Sequence, residues 1–470
     1  MALIPAFCPL GSALSLALDS GIPFDVREFV VDERMSTLFT ITLRVFSTDP
    51  AINFDAVVGQ TARFTISRGS HERAWTGICR SIEPVASEEI GLSTYQLIIV
   101  PVLWLLTQRT NRRIFQHLSE PEMVKRLLSE HRLDRAWRLS ETYKLRQYRT
   151  QYDESDYAFA HRLLEDTGIS SFFENQNEKT IWIASDTPQR AELTGEYVTN
   201  VKIARELKPG HVMVRGRDYR LPPDYALKAS AQAKALDRET RMEQFEVVPG
   251  RFLVQSAQGG GMPVGDDRGM YRSDERHAEQ VAQKRIEALR EGATAISFET
   301  NALDLAPGAV VHVHGHAYPD LAEGMLIVAA RISGKFNSDW THHIEARPIA
   351  QPYRPPSQTP KPRVQGIESA TIVGPAGEEF HCDEFGAYAS RFIGIEKAAW
   401  TSKVRGRKWC ESTIRMRATC RMKGWQDNDE RSIANGHGKN VWYASNDPTP
   451  LGYAERVAVG VWYGSDAERV

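Results

Sequence analysis

The 470-residue chain carries almost no net charge, since 58 Lys and Arg stand against 60 Asp and Glu. Without a global excess of positive charge, neither nucleic acid nor an anionic membrane is recruited by the molecule as a whole, and partners must be recognised by local surfaces. Long apolar runs are also missing. The first twenty residues are apolar but lack the basic region that opens a secretory signal, and no later stretch approaches the roughly eighteen apolar residues of a membrane span. No membrane span and folding in the cytosol are therefore expected. Cysteine is scarce: Cys8, Cys79, Cys382, Cys410 and Cys420 are odd in number and scattered, with no CxxC pair to hold a metal or a redox couple, so they read as reduced, structural thiols. HExxH and GxSxG are absent, and the glycines at 259–261 do not open directly into a helix as a phosphate loop would. No enzyme class is supported, and no cofactor is expected.

What is present is enough for several cores, because 41% apolar residues with 25% charged ones suit a globular protein of two or three domains. Between Pro23 and Pro101 the pattern is that of strands. Phe39, Ile41, Leu43 and Val45 face one way, Thr40, Thr42 and Arg44 the other, and turn residues follow at Asp49-Pro50 and Arg68-Gly69-Ser70. The period then becomes helical: Ser119 and Glu122 make a capping box ahead of Met123, Val124, Leu127 and Leu128. A second helix opens near Ser155, turns Phe159, Ala160, Leu163 and Leu164 inward, and stops at Gly168, where a left-handed residue is tolerated. A third spans Ser273 to Arg290, and strands are expected at Ala295–Thr300, Ala309–Val313, Met325–Ile332 and His342–Ala346. Five prolines between 351 and 362 mark an extended linker.

The string QYDESDYAFAHRLLEDTGISSFF from Gln151 to Phe173 resembles the hub signature of the VgrG family of type VI secretion spikes, through Gln151, Tyr152, Glu154, Asp156, Phe159, Arg162, Leu163 and Gly168. Upstream, VPVLWLLTQRTNRRIFQHLSEPEMVKRLL from Val100 to Leu128 is similar to the family's stretch at Trp104, Arg113, Phe115 and Gln116. Arg34 to Phe46 resembles its first strand, and Trp75-Thr76-Gly77-Ile78 its barrel turn. Beyond the linker, Gly374, Gly377, Glu378, Glu379, Asp383 and Gly386 resemble the opening of the spike's OB-fold neck.

The resemblance implies a mainly β fold with an α+β insertion, in which two barrel-like phage-hub modules precede the start of an OB-fold. On this basis we expect an N-terminal tail over 1–21, a first barrel module over 22–105, the insertion over 106–195, a second barrel-like module over 196–350, the Pro-rich linker over 351–365, the onset of the neck over 366–386 and an aberrant, disordered tail over 387–470. It further implies a homotrimer seated on a hexameric tube protein, contacts with baseplate proteins and secreted effectors, and a tip-capping protein in intact relatives. Assembly would take place in the cytoplasm, with export by the injection machine and no signal peptide. A prophage or tailocin baseplate hub, or an effector-bearing hub, is the alternative.

The family pattern stops at Gly386. There the family has an alternating strand GRVRVQVHWDREGRMD, whereas the chain reads GAYASRFIGIEKAAWT to Thr401. Deleting one G from codons fitted to the first string encodes the second, so a frameshift at Gly386 is expected, and such a copy would lack a working needle. Three other chemistries are weaker readings. His312, His314, His316, His342 and His343 have no carboxylate or Cys at ligand spacing and read as solvent-facing or rim residues. The string His381-Cys382-Asp383-Glu384 falls in a turn of the neck motif. A basic stretch, Arg109, Arg112 and Arg113 with Lys125, Arg126, Arg132, Arg135 and Arg138, is diluted by Glu120, Glu122, Glu130 and Asp134, so no nucleic-acid partner is expected.

Overall fold

The structure, a computed structural model, describes residues 12–363 apart from 70, 87–91, 132, 134, 177–178, 188, 191–197, 219–226, 257–269, 314–317, 319 and 339, together with the backbone of five short strands between 368 and 459. The neck-motif residues Gly374, Gly377, Glu378, Glu379, Asp383 and Gly386, the frame change, and most of the tail expected to be disordered lie outside the described residues.

The chain is mainly β, as expected. Its first six strands are β1 (Ser12–Leu18), β2 (Asp25–Arg34), β3 (Thr40–Ser47), β4 (Thr61–Arg68), β5 (His71–Ala86) and β6 (Ser93–Val100), hydrogen-bonded in the antiparallel order β1-β4-β5-β6-β3-β2. The alternation at Phe39, Ile41, Leu43 and Val45 buries all four completely, against Phe29, Phe64, Trp75 and Tyr95. Two local readings change. Ser12–Leu18, in the segment expected to be a tail, pairs with β4 from Ser12↔Arg68 to Leu18↔Ala62. Trp75 to Ile78 is the interior of β5 rather than a turn. Here β5 exchanges partners, pairing with β4 up to Ile78 and with β6 beyond it. Gly77 permits the exchange, because a Cβ at that position would stand 2.2 Å from the Val100 carbonyl oxygen.

The insertion contains β7 (Thr110–Leu118), α1 (Glu120–Ser129), β8 (Arg135–Arg138), β9 (Arg146–Ser155), α2 (Asp156–Thr167), β10 (Ser170–Gln176) and β11 (Lys179–Ser185). β7 pairs antiparallel with β9, while β11 joins β10 antiparallel and β8 parallel. The capping box forms as read, with the Ser119 amide donating to Glu122 at 2.8 Å. Met123, Val124, Leu127 and Leu128 of α1 meet Phe159, Leu163 and Leu164 of α2 over Phe115 and Trp182 in a separate core.

The remaining elements are β12 (Gln189–Arg190), β13 (Val198–Arg205), β14 (His211–Gly216), β15 (Leu227–Gln232), β16 (Glu243–Val247), β17 (Leu253–Gln255), β18 (Tyr271–Ser273), α3 (Glu275–Leu289), β19 (Thr294–Thr300), β20 (Ala309–Val311), α4 (Asp320–Glu323), β21 (Met325–Lys335) and β22 (Trp340–Pro348). Ala278, Ala282 and Ile286 of α3 cover the small sheet β15-β14-β16. Strands β21-β22-β19-β13 carry the first sheet onward instead of forming an independent one, because β2 pairs with β21 from Glu28↔Lys335 to Arg34↔Ala329. Side chains lock this seam. Trp340 meets Phe29 edge-to-face at 5.2 Å, and buried Arg73 ion-pairs with Glu33 while donating to the Leu303 and Leu305 carbonyls at 3.1 and 2.8 Å.

Candidate functional site

The signature residues converge at the N-terminus of α2. Ser155 caps the helix by accepting from the Ala158 amide at 3.1 Å. The next residue, Asp156, is fully buried. Its carboxylate accepts from Gln151 Nε2 at 2.8 Å, Asn111 Nδ2 at 3.0 Å, Arg113 Nη2 at 3.1 Å and Arg109 Nε. Its own amide donates to the Arg109 carbonyl at 2.9 Å. Burial alone would raise the Asp156 pKa. The bonds from Gln151, Asn111 and Arg109 and the Arg113 charge outweigh it and hold the group below the usual carboxylate range. The helix N-terminus adds favourable dipole charge.

A second clamp sits nearly two turns along: Arg162 donates to Glu154 at 2.6 and 2.8 Å and to the Thr150 carbonyl at 2.7 Å. Phe115 stacks on Phe159 at 5.1 Å, and Leu163 is fully buried beside them. The remaining signature positions lie outside these two clamps. Trp104 lies in a 3₁₀ turn, Val102–Gln108, with the Arg80 guanidinium 5.8 Å over its ring. Tyr152 lies under Arg112 at 4.6 Å, and Gln116 pairs in register with Tyr148. Gly168 ends α2 in the left-handed region at φ 72°. The signature thus ties β7, β9 and α2 together, and most of it faces inward.

The sequence reading missed a neighbouring clamp that joins the insertion to the following segment. Buried Glu120 accepts from Arg146 Nε at 2.6 Å and faces Arg149 at 3.5 Å, while Arg146 also donates to the Arg251 carbonyl at 2.6 Å. Burial pushes Glu120 up, but Arg146, Arg149 and Arg251 more than offset it and the net direction is down. Burial lowers Arg146 to about 10 and, with the nearby Arg146 charge, His277 to about 3.

Of the basic stretch, Arg132 lies outside the described residues, and five of the others make intrachain contacts. Arg109 and Arg113 reach Glu130 at 2.6 and 2.9 Å, Arg112 reaches Asp153 at 2.5 Å, Arg138 reaches Glu174 at 2.6 Å, and Lys125 sits 5.0 Å over Trp137. His342 departs from the solvent-facing reading: it is buried, with Nδ1 2.7 Å from the Ala302 carbonyl. His343 points oppositely, into a shallow groove of about 410 Å³ beside Arg34 and Glu345. Among the described residues no group of three His, Cys, Asp or Glu could hold a metal ion, and no helix is long and apolar enough to cross a membrane. Cys79 is buried, and burial raises its thiol to about 11.

A continuous sheet of two halves, with a clamped α+β insertion between them, defines a tail-hub protein. The chain belongs to the phage tail baseplate hub (GPD) family, whose sequence profile matches residues 32–338. Within that class it is similar to the type VI secretion system spike proteins VgrG4b and VgrG1c of Pseudomonas aeruginosa, with 29% and 25% identity over 80% and 77% of this chain. Those alignments cover 48% and 50% of the two relatives, so the chain spans about half the length of the curated relatives it matches. The fold matches an E. coli component of the type VI secretion system, described as similar to the T4 tail proteins gp27 and gp5. That match has a TM-score of 0.61 and 19% identity, covering 85% of this chain and 92% of the other. A tail protein of Neisseria meningitidis gives 0.51 with 12% identity, covering 73% and 98%.

Proposed function

We propose that this chain is the hub portion of a type VI secretion spike, a trimeric collar that seats on the hexameric tube protein and carries effectors without performing catalysis itself. The observation that carries the reading is the β2–β21 ladder. A collar that transmits thrust must not hinge, and a ladder of backbone hydrogen bonds between the two barrel-like halves removes the hinge that a loop connection would leave. The clamps around Asp156 and Glu120 serve the same end by fixing the insertion to both flanks. Assembly is cytoplasmic, and export is by the machine.

A prophage or tailocin baseplate hub is the second reading, favoured by the family profile itself, and neighbouring genes separate the two. The test is multi-angle light scattering of the full chain, followed by pull-down with purified hexameric tube protein. A species three times the 52.9 kDa chain that retains the tube protein is expected. A monomer at high concentration that ignores the tube protein would overturn the collar.

A further inference from the structure

The proline-rich segment 351–363 does not hang from the hub. Its five prolines fix φ and keep the preceding residues extended. Along this extended path it is tied down at successive points. Tyr353 packs against the core formed by Phe172, Ile183, Leu326 and Val328, and Pro355 is buried. Arg354 donates through Nη1 to the Gly168 carbonyl at 3.0 Å, at the end of α2, and through Nε to Glu287 of α3 at 2.9 Å. Further along, a single carboxylate, Glu165 of α2, accepts from the Gln358 amide at 3.2 Å, the Thr359 amide at 3.0 Å and the Thr359 hydroxyl at 2.8 Å. The helix that bears these contacts is itself held, because Asp166 ion-pairs with Arg251 and Arg251 also donates to the Asp166 carbonyl at 2.5 Å.

We infer that residues 351–363 form a clamped strap, with Arg354 and Glu165 as its two latches, that sets the direction in which the chain leaves the hub. The chemistry suits this task. Proline supplies stiffness but removes amides, and two of the few amides left in the segment are spent on one charged acceptor. The fork of Arg354 spans two helices at once, so a pull on the segment is divided between α2 and α3 instead of peeling either one. Gly168 belongs to the same device, since a Cβ there would lie 2.9 Å from Arg354 Cδ. The inference deepens the hub reading, yet its test needs no assembly.

Hydrogen exchange of the full chain, read by mass spectrometry on peptides covering 352–363, measures the latches directly. The Gln358 and Thr359 amides are expected to exchange at least tenfold more slowly than in an unstructured peptide, and Glu165→Ala is expected to abolish that protection. Arg354→Ala should accelerate chymotryptic cleavage after Tyr353 at least tenfold, with Arg354→Lys restoring only part of the resistance. Both variants should keep the parent's melting temperature, which separates strap release from global unfolding. Unprotected amides in the parent chain overturn the strap, as do variants that leave exchange and cleavage unchanged. If the chain proves monomeric but the protection pattern holds, the collar fails and the strap stands.

Discussion

Replacing Asp156 with Ala tests whether the signature folds the hub or contacts something else. The side chain is completely buried and gathers four donors, two of them guanidinium groups. Its removal leaves Arg113, itself only 5% exposed, with Glu130 as its remaining carboxylate partner, takes the Asp156 acceptor from the Asn111 amide, and leaves Gln151 Nε2 with only the Glu154 carbonyl of its two acceptors. Breaking a buried pair on one side costs about 3–5 kcal/mol, a large share of the roughly 5–15 kcal/mol that holds a domain. Asp156→Asn keeps the shape and one acceptor oxygen but loses the charge, so about 2–3 kcal/mol is expected. Urea denaturation followed by tryptophan fluorescence suits the measurement, because Trp137 and Trp182 report on the insertion core from an edge-on pair 5.6 Å apart. The pH dependence has a definite sign. The folded carboxyl titrates below its unfolded value near 3.9, so its contribution is complete above about pH 5 and is lost as pH falls through the depressed value. The difference between parent and Asp156→Ala should therefore be flat from pH 5 to 8 and shrink below pH 4. A loss under 1 kcal/mol, or a stable variant that merely fails to assemble, would refute the clamp and make the signature a contact surface.

Other consequences are equally direct. Gly168→Ala forces a side chain into the left-handed region at φ 72° and against Arg354, and thermal melting should register a loss of about 1–2 kcal/mol. Gly77→Ala places a Cβ against the Val100 carbonyl oxygen, where neither backbone can yield, and soluble yield and melting temperature should both fall, by about 3 kcal/mol in stability. Burial and the Arg73 charge lower His342 to about 3, below its unfolded value near 6.5, so the parent should lose about 2 kcal/mol from this site between pH 7 and pH 5, and His342→Phe should flatten that slope. With its thiol raised to about 11, Cys79 should resist iodoacetamide in the native chain at pH 8 and react once urea unfolds it, as peptide mass spectrometry would show.

Period and punctuation made much of this architecture legible. The strand through Phe39 and Val45, the box at Ser119 and Glu122, and the stop at Gly168 are decided by neighbours within one turn or one pleat, so short windows of sequence contain them. The partner exchange of β5 and the joining of the two halves are not local. Val31 gains its partner at Ile332, and nothing near Val31 announces it. The signature was legible as a motif, while its chemistry was hidden, because the four donors to Asp156 come from Gln151 on one strand, Asn111 and Arg113 on another, and Arg109 just ahead of it. The basic stretch looked available for the same reason: Asp153, Asp156 and Glu174, which neutralise much of it, lie 36–47 residues on. Short strands such as β16, with four of five residues exposed, lack the alternation by which strands are read.

The seam between the halves also imposes a schedule on synthesis. Strand β2 leaves the ribosome about 300 residues before β21, the strand that covers its outer edge. At roughly 5–20 residues per second the interval is about 15–60 s. Throughout it, a ten-residue strand with Phe29 and Val31 on its inner face waits with one row of amides and carbonyls uncovered. Nascent chains on the same messenger would expose identical edges together, so yield should depend on translation speed and on chaperones that mask strands, more than on the stability of the finished fold.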